Sequence, residues 1–179
     1  DVVEADDDEA TRAAARQAAL EGLEAALDDL VAMRRQEGAA LAAVLGQRLD
    51  RIAALTRAVD AHPARTPEAI RDRLAEQVHA IIATGAGLDP TRLHQEAVML
   101  ATRADVREEL DRLVAHVGAA RDLLAGGGAV GRRLDFLAQE FGREASTLCA
   151  KANHPALTAL GMELRAEVEQ LREQAQNIE

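Results

Sequence analysis

The 179-residue chain has almost no aromatic residues: two Phe, no Trp and no Tyr. Hydrophobic residues make up 48 % of it, so a core is possible, but it must be built from Ala, Leu, Val and Ile. Small side chains with few β-branched runs favour close-packed helices over a sheet. The same absence withholds the stacking platforms that hold single-stranded bases. Cysteine is nearly absent as well. Cys149 stands alone, so no disulfide framework can form within the chain, which fits a reducing cytosol, and its thiol reads as a small buried side chain. No apolar run approaches the ~20 residues that span a bilayer. No signal peptide is visible, so a cytoplasmic location without a membrane partner is expected. Positive charge is in deficit, with 21 Lys and Arg against 31 Asp and Glu, a net charge of −10. That argues against a simple cationic clamp on nucleic acid, although a local basic patch or a partner domain could supply the attraction. An acidic surplus suits divalent cations as well as plain solubility. The chain has no initiator Met and starts abruptly at Asp1-Val2-Val3-Glu4, which gives the expectation of a fragment.

What is present is helical patterning. No Pro interrupts the stretch from Asp8 to Asp60. Apolar residues recur there at Leu20, Leu23, Leu27 and Leu30, then at Leu41, Val44, Leu45, Ile52, Leu55 and Val59, alternating three and four. This predicts one helix over 1–61, roughly 75 Å long. It must pack on several shorter helices or on another subunit. Arg34 and Glu37 interrupt the seam where Leu would continue it. Thr66-Pro67 and Asp89-Pro90 each read as an N-cap followed by Pro at the first helical position. They predict helices over 66–83 and 90–124, the latter closed by Gly126-Gly127-Gly128, which reads as a mobile loop. A signature helix over 131–151 and a last helix over 154–178 follow, separated by Asn153-His154-Pro155. No run alternates as a strand does. The expected fold is all-α: a single helical domain over 1–179, with a very long N-terminal helix and a hairpin or bundle of about four further helices, elongated and oligomerising.

Two polar stripes flank the apolar faces. On the third helix, Asp105, Glu109, Arg112 and His116 share a sector roughly 60° wide at 100° per residue. Spacings of three and four stack them. Two carboxylates and an imidazole at a core edge can bind a divalent cation or transfer protons, and they can equally be an ion-paired solvated face. The fourth helix carries Arg133, Glu140, Glu144, Thr147 and Lys151 on one flank and Asp135, Gln139 and Ser146 on the other. These could hold metal and phosphate together or form a salt-bridge ladder. Neither stripe is a HExxH zinc signature, and the triple glycine lacks the Lys-Ser/Thr of a phosphate-binding loop. His62 and His154 sit beside prolines in turns and are expected to be exposed. They, His79 and His94 receive no role. Ser146 and Cys149 lack a correctly spaced base.

Gly131-Arg-Arg-Leu-Asp-Phe-Leu-Ala-Gln-Glu-Phe-Gly-Arg-Glu-Ala-Ser-Thr-Leu-Cys-Ala-Lys151 resembles the signature of the YicC/YloC family, G-[RK]-[KR]-L-D-F-L-x-Q-E-x-N-R-E-[AS]-N-T-x-x-[SA]-K. Arg92-Leu-His-Gln-Glu-Ala-Val-Met-Leu-Ala101 with Asp105-Val-Arg-Glu-Glu-Leu-Asp-Arg-Leu-Val-Ala-His116 is similar to a second family segment. Met33-Arg34 with Glu37-Gly38 and the ending Met162 to Glu179 match two more. Together they cover the chain from about residue 20 onward. Gly142 and Ser146 stand where the pattern has Asn, and Ala115 and Ala150 where Ser is common, so no amide or hydroxyl contact is carried over there.

The resemblance implies a bacterial cytoplasmic endoribonuclease, active with a divalent cation (Mg2+ or Mn2+), homo-oligomeric, and joined to an N-terminal domain absent here. On that reading Glu108, Glu109, Asp135, Glu140 and Glu144 supply metal ligands. Glu109, Glu140 and Glu144 are also catalytic, together with His116 as general acid or base. Arg34, Arg112, Arg132, Arg133, Arg143 and Lys151 hold RNA phosphates. It requires the third and fourth helices to bring their stripes face to face. A metal-independent alternative pairs His116 with a carboxylate and leaves a 2′,3′-cyclic phosphate. The competing class is a non-enzymatic helical adaptor that assembles through the first helix and supports RNA binding by the absent domain.

Overall fold

The computed structural model describes residues 8–83, 91, 95, 98, 99 and 105–178. The described residues form α1 (Glu9–Asp60), a 3-10 turn (Pro63–Arg65), α2 (Pro67–Ala83), α3 (Arg107–Gly126), α4 (Gly131–Lys151) and α5 (Pro155–Ala175), with no strand among them. The fold class is all-α, as the patterning predicts. No helix among the described residues is long and apolar enough to cross a membrane. The chain divides into two compact units, Asp1–Leu41 and Ala42–Glu179.

In the first unit α1 begins with a cap. The Asp8 carboxylate accepts from the Thr11 backbone N–H at 2.7 Å, satisfying a donor that the first helical turn leaves open. Hydrogen bonding from Thr11 holds the Asp8 carboxyl below its ordinary range. Every side chain from Asp8 to Ala40 is exposed. The predicted seam is therefore uncovered here: Leu20, Leu23, Leu27 and Leu30 are 45–57 % exposed.

In the second unit the seam is buried. Leu45, Leu49, Ile52, Leu55 and Val59 recur at helical spacing and are 0–4 % exposed. Val44, expected on the same seam, is an exposed residue, and Leu49 takes the place that the seam's spacing requires. This stripe joins Leu110, Leu113 and Val117 of α3, Leu134, Phe141, Ala145 and Leu148 of α4, and Leu157, Leu164, Val168 and Leu171 of α5 in one cluster. Full burial of each large aliphatic side chain is worth about 1.5–3 kcal/mol. Polar ties frame the core: Arg48 with Glu167 at 3.0 Å and Arg51 with Glu163 at 3.1 Å link α1 to α5. Arg121 with Asp50 and Arg107 with Asp60 link α1 to α3.

Two glycines permit close approach. A Cβ at Gly161 would lie 2.7 Å from Cys149 Sγ and 2.9 Å from Leu148 Cδ2, where α5 crosses α4. A Cβ at Gly131 would lie 2.2 Å from the Ile178 carbonyl oxygen, so the C-terminal turn closes onto the start of α4. Gly127 and Gly128 have φ of 64° and 80°, which L side chains rarely adopt, and this ends α3 where the triple glycine predicts.

One boundary differs from expectation. The third helix does not run unbroken from Pro90. Asp105 and Val106 are not helical, and α3 starts at Arg107, whose N–H is taken by the Asp105 carboxylate at 2.9 Å. Much of the expected N-terminal half of that helix lies outside the described residues. Asp105 precedes the N-cap Val106 and so is not a member of the helical stripe.

Candidate functional site

The α3–α4 hairpin brings the two stripes together. Lys151 reaches Glu109, Arg112 reaches Glu144, and His116 meets Phe141. Residue numbers rise along one helix as they fall along the other, so the helices run antiparallel. Lys151 Nζ donates to Glu109 Oε1 at 2.7 Å and to the Asp105 carbonyl at 3.1 Å. Arg112 Nη1 donates to Glu144 Oε1 at 3.1 Å, and its other terminal nitrogen pairs with Glu108, one turn away on α3. Two cations therefore serve three carboxylates.

Burial distinguishes these carboxylates. The Glu109 and Glu144 side chains are 6 % and 7 % exposed, whereas that of Glu108 is 69 % exposed. Glu109 Oε2 is buried with no hydrogen-bond partner. The guanidinium of Arg112 is held above its usual range, first by the hydrogen bond to Glu144 and then by the charge of Glu108. His116 is half-buried, its ring edge-on to Phe141 with centroids 5.6 Å apart. Among the described residues it makes no hydrogen bond to a carboxylate.

The other expected site residues make different contacts. Glu140 pairs with Arg143 on α4 itself, at 2.8 Å. It lies one turn before Glu144 on α4, about 6 Å along the axis, and its Oε1 is buried without a hydrogen-bond partner although it forms this ion pair. Asp135 faces the other way: it accepts from Gln139 at 2.9 Å and lies 3.8 Å from Arg172 of α5. Arg132 and Arg133 sit at the opposite end of α4 from Lys151, beside Phe136 and Leu123. Arg34 is an exposed residue of α1 in the first unit. The five carboxylates are thus not one ligand set. Among the described residues no three His, Cys, Asp or Glu side chains form a cation-binding group. A cage of protein ligands is therefore not formed among the described residues.

Sequence reasoning missed a second polar feature. His62 and His154 are half-buried and their rings face each other at 5.6 Å. The repeated His-Pro-Ala tripeptide was the available signal.

With this geometry in place, comparison with known proteins gives a consistent result. Residues 59–179 match the family described as endoribonuclease YicC-like, C-terminal. The chain is 44 % identical over 153 residues to the probable endoribonuclease YicC of Haemophilus influenzae, covering 86 % of this chain and 52 % of that one. It is 31 % identical over 159 residues to the probable endoribonuclease YicC of Clostridioides difficile, covering 89 % and 54 %. The chain spans about half the length of these curated relatives. The helical fold, the signature along α4 and these matches agree: the chain belongs to the YicC-like endoribonuclease family.

Proposed function

We propose that this chain is the helical part of an endoribonuclease and that the Glu109–Lys151 and Arg112–Glu144 pairs mark where an RNA phosphate is engaged. The observation that carries the reading is the pair of carboxylates held almost out of solvent, one with a buried oxygen lacking any hydrogen-bond partner. Burying a carboxylate is a poor source of stability, because desolvation offsets its attraction to a cation. The presence of two such carboxylates beside Arg112 and Lys151 supports a role in chemistry. Phosphate oxygens compete with the carboxylates for the same donors, so binding RNA frees Glu109 or Glu144 to accept a proton or a cation.

A divalent ion, Mg2+ or Mn2+, belongs to this proposal, held by Glu109 and Glu144 with the substrate. When bound it would withdraw charge from the phosphate. Glu108 and Glu140 lie on the same two helices and are secondary candidates; Asp135, turned toward α5, is left out. His116 is the proposed proton carrier, since an imidazole titrates near neutrality. Arg112, Lys151 and Arg143 hold phosphate, while Arg34, Arg132 and Arg133 are proposed as RNA contacts away from the reacting centre. Homo-oligomerisation, a cytoplasmic location and cooperation with a further N-terminal domain are part of the same reading.

The exposed seam at Leu20, Leu23, Leu27 and Leu30 favours a second reading, in which the chain is an assembly module and RNA is handled elsewhere. Cleavage of a structured RNA separates the two. It should be assayed with this chain alone and with a protein of the relatives' full length, with and without EDTA. Glu140→Gln and His116→Ala should be included and the product ends identified. Loss of cleavage in EDTA supports the metal-assisted reading. A 2′,3′-cyclic end formed in EDTA supports the metal-independent one. No cleavage by either protein supports the assembly module.

A further inference from the structure

His62 and His154 occupy the same local setting, each followed by Pro and Ala, and each caps the segment that follows it. His62 Nδ1 accepts the Ala64 N–H at 3.1 Å, and His154 Nδ1 accepts the Ala156 N–H at 3.2 Å. A neutral imidazole has one bare nitrogen and one N–H. With both Nδ1 atoms committed as acceptors, both ring protons sit on Nε2, so each ring offers a donor. The two rings line an open cleft of about 340 Å³ together with Asn153 and Arg73. Arg73 has a buried Nε without a hydrogen-bond partner and makes no ion pair among the described residues. Asp72 and Glu76, which are acceptors, line the same cleft.

We propose that this cleft binds the phosphate group of a ribonucleotide, held by His62, His154 and Arg73, with Asp72 and Glu76 accepting from ribose hydroxyls. Donors alone would suit any oxyanion; donors beside carboxylates suit a phosphate that carries hydroxyl groups. The tautomers argue against a transition metal at this place. A metal on Nε2 requires the ring proton on Nδ1, which would break both caps. The residues of the α3–α4 pairs do not line this cleft, although Lys151 shares an adjoining pocket with Ala64 and Asn153. The phosphate is either free or part of a strand. Only the RNA arm of the test rests on the endoribonuclease reading, so the two can fail independently.

The experiment is an imidazole NMR titration of the 179-residue chain at constant pH, with inorganic phosphate, uridine monophosphate and a short single-stranded RNA as probes. Saturable shifts of both His62 and His154 are expected with phosphate, and tighter ones with the nucleotide. Arg73→Gln should weaken binding about tenfold, the scale of one lost charge-assisted hydrogen bond. His62→Asn and His154→Asn keep a capping acceptor while removing the Nε2 donor, so each should fold and bind more weakly. RNA that displaces phosphate from these signals assigns the site to a strand; RNA without effect, where phosphate and nucleotide bind, assigns it to a free nucleotide. Absence of saturable shifts with phosphate and nucleotide, or shifts unchanged in Arg73→Gln, overturns the proposal.

Discussion

Glu109 and Glu144 show how a residue's setting decides what it can do. Both were legible as stripe members, but helical periodicity could not separate them from Glu108, Glu140 or Asp135. The antiparallel hairpin makes that separation by burying only two of the five against cations. Removing Lys151 tests the strength of this setting. Lys151→Met leaves Glu109 buried without its cation and should destabilise the chain by about 3 kcal/mol, read from the denaturant midpoint at neutral pH. An unchanged midpoint would mean that water already reaches Glu109. Cys149 gives a pH test at the same scale. Burial pushes its thiol up, against a smaller opposing effect from Arg165. Less thiolate is then present at a given pH than in the unfolded chain, so iodoacetamide should react more slowly with the folded protein at pH 8. Raising the pH should narrow the gap as the native thiol ionises. Equal rates in both states would contradict the burial.

At the scale of elements, α1, α2, α4 and α5 were readable because Pro, Gly and apolar spacing mark their ends. The start of α3 was not read, since no Pro or Gly marks it. The available signal was Asp105, a residue type whose side chain accepts from the backbone N–H two positions on, here that of Arg107. Exposure along α1 was equally hidden: one seam runs through the sequence, yet Leu27 is exposed and Leu49 is fully buried. Spacing reports a helix face; what covers that face is decided by other parts of the molecule. Gly131 joins two elements. Gly131→Ala would place a methyl group against the Ile178 backbone, which cannot rotate away as a side chain can. A loss of about 1–3 kcal/mol is expected, with faster amide exchange at Asn177 and Ile178. Exchange and midpoint both unchanged would mean that the C-terminal turn does not close onto α4.

For the whole molecule, net charge and family likeness pull in different directions. A charge of −10 repels a polyanion, while the signature along α4 places the chain in a family of endoribonucleases. Locally, Arg112 and Lys151 lie toward the end of the α3–α4 hairpin away from its turn, where Arg132 and Arg133 sit, and both are paired with carboxylates. The family and helical class were legible from ordered motifs. Which carboxylates face one another was not, because motif order does not reveal which way a side chain faces; Asp135 belongs to the signature yet meets α5. The His62–His154 pair was hidden for a related reason, since its members are 92 positions apart in sequence.

The most direct measurement is the single-turnover rate of RNA cleavage by a protein of the relatives' full length, comparing the unchanged protein with Glu109→Gln, Glu144→Gln and Asp135→Asn, each checked for an intact fold by its unfolding midpoint. Glu109→Gln and Glu144→Gln should each lower the rate by about a hundredfold, and Asp135→Asn should lower it far less. Folded Glu109→Gln and Glu144→Gln proteins that cleave at the unchanged rate would contradict the central claim that the α3–α4 hairpin carries the chemistry.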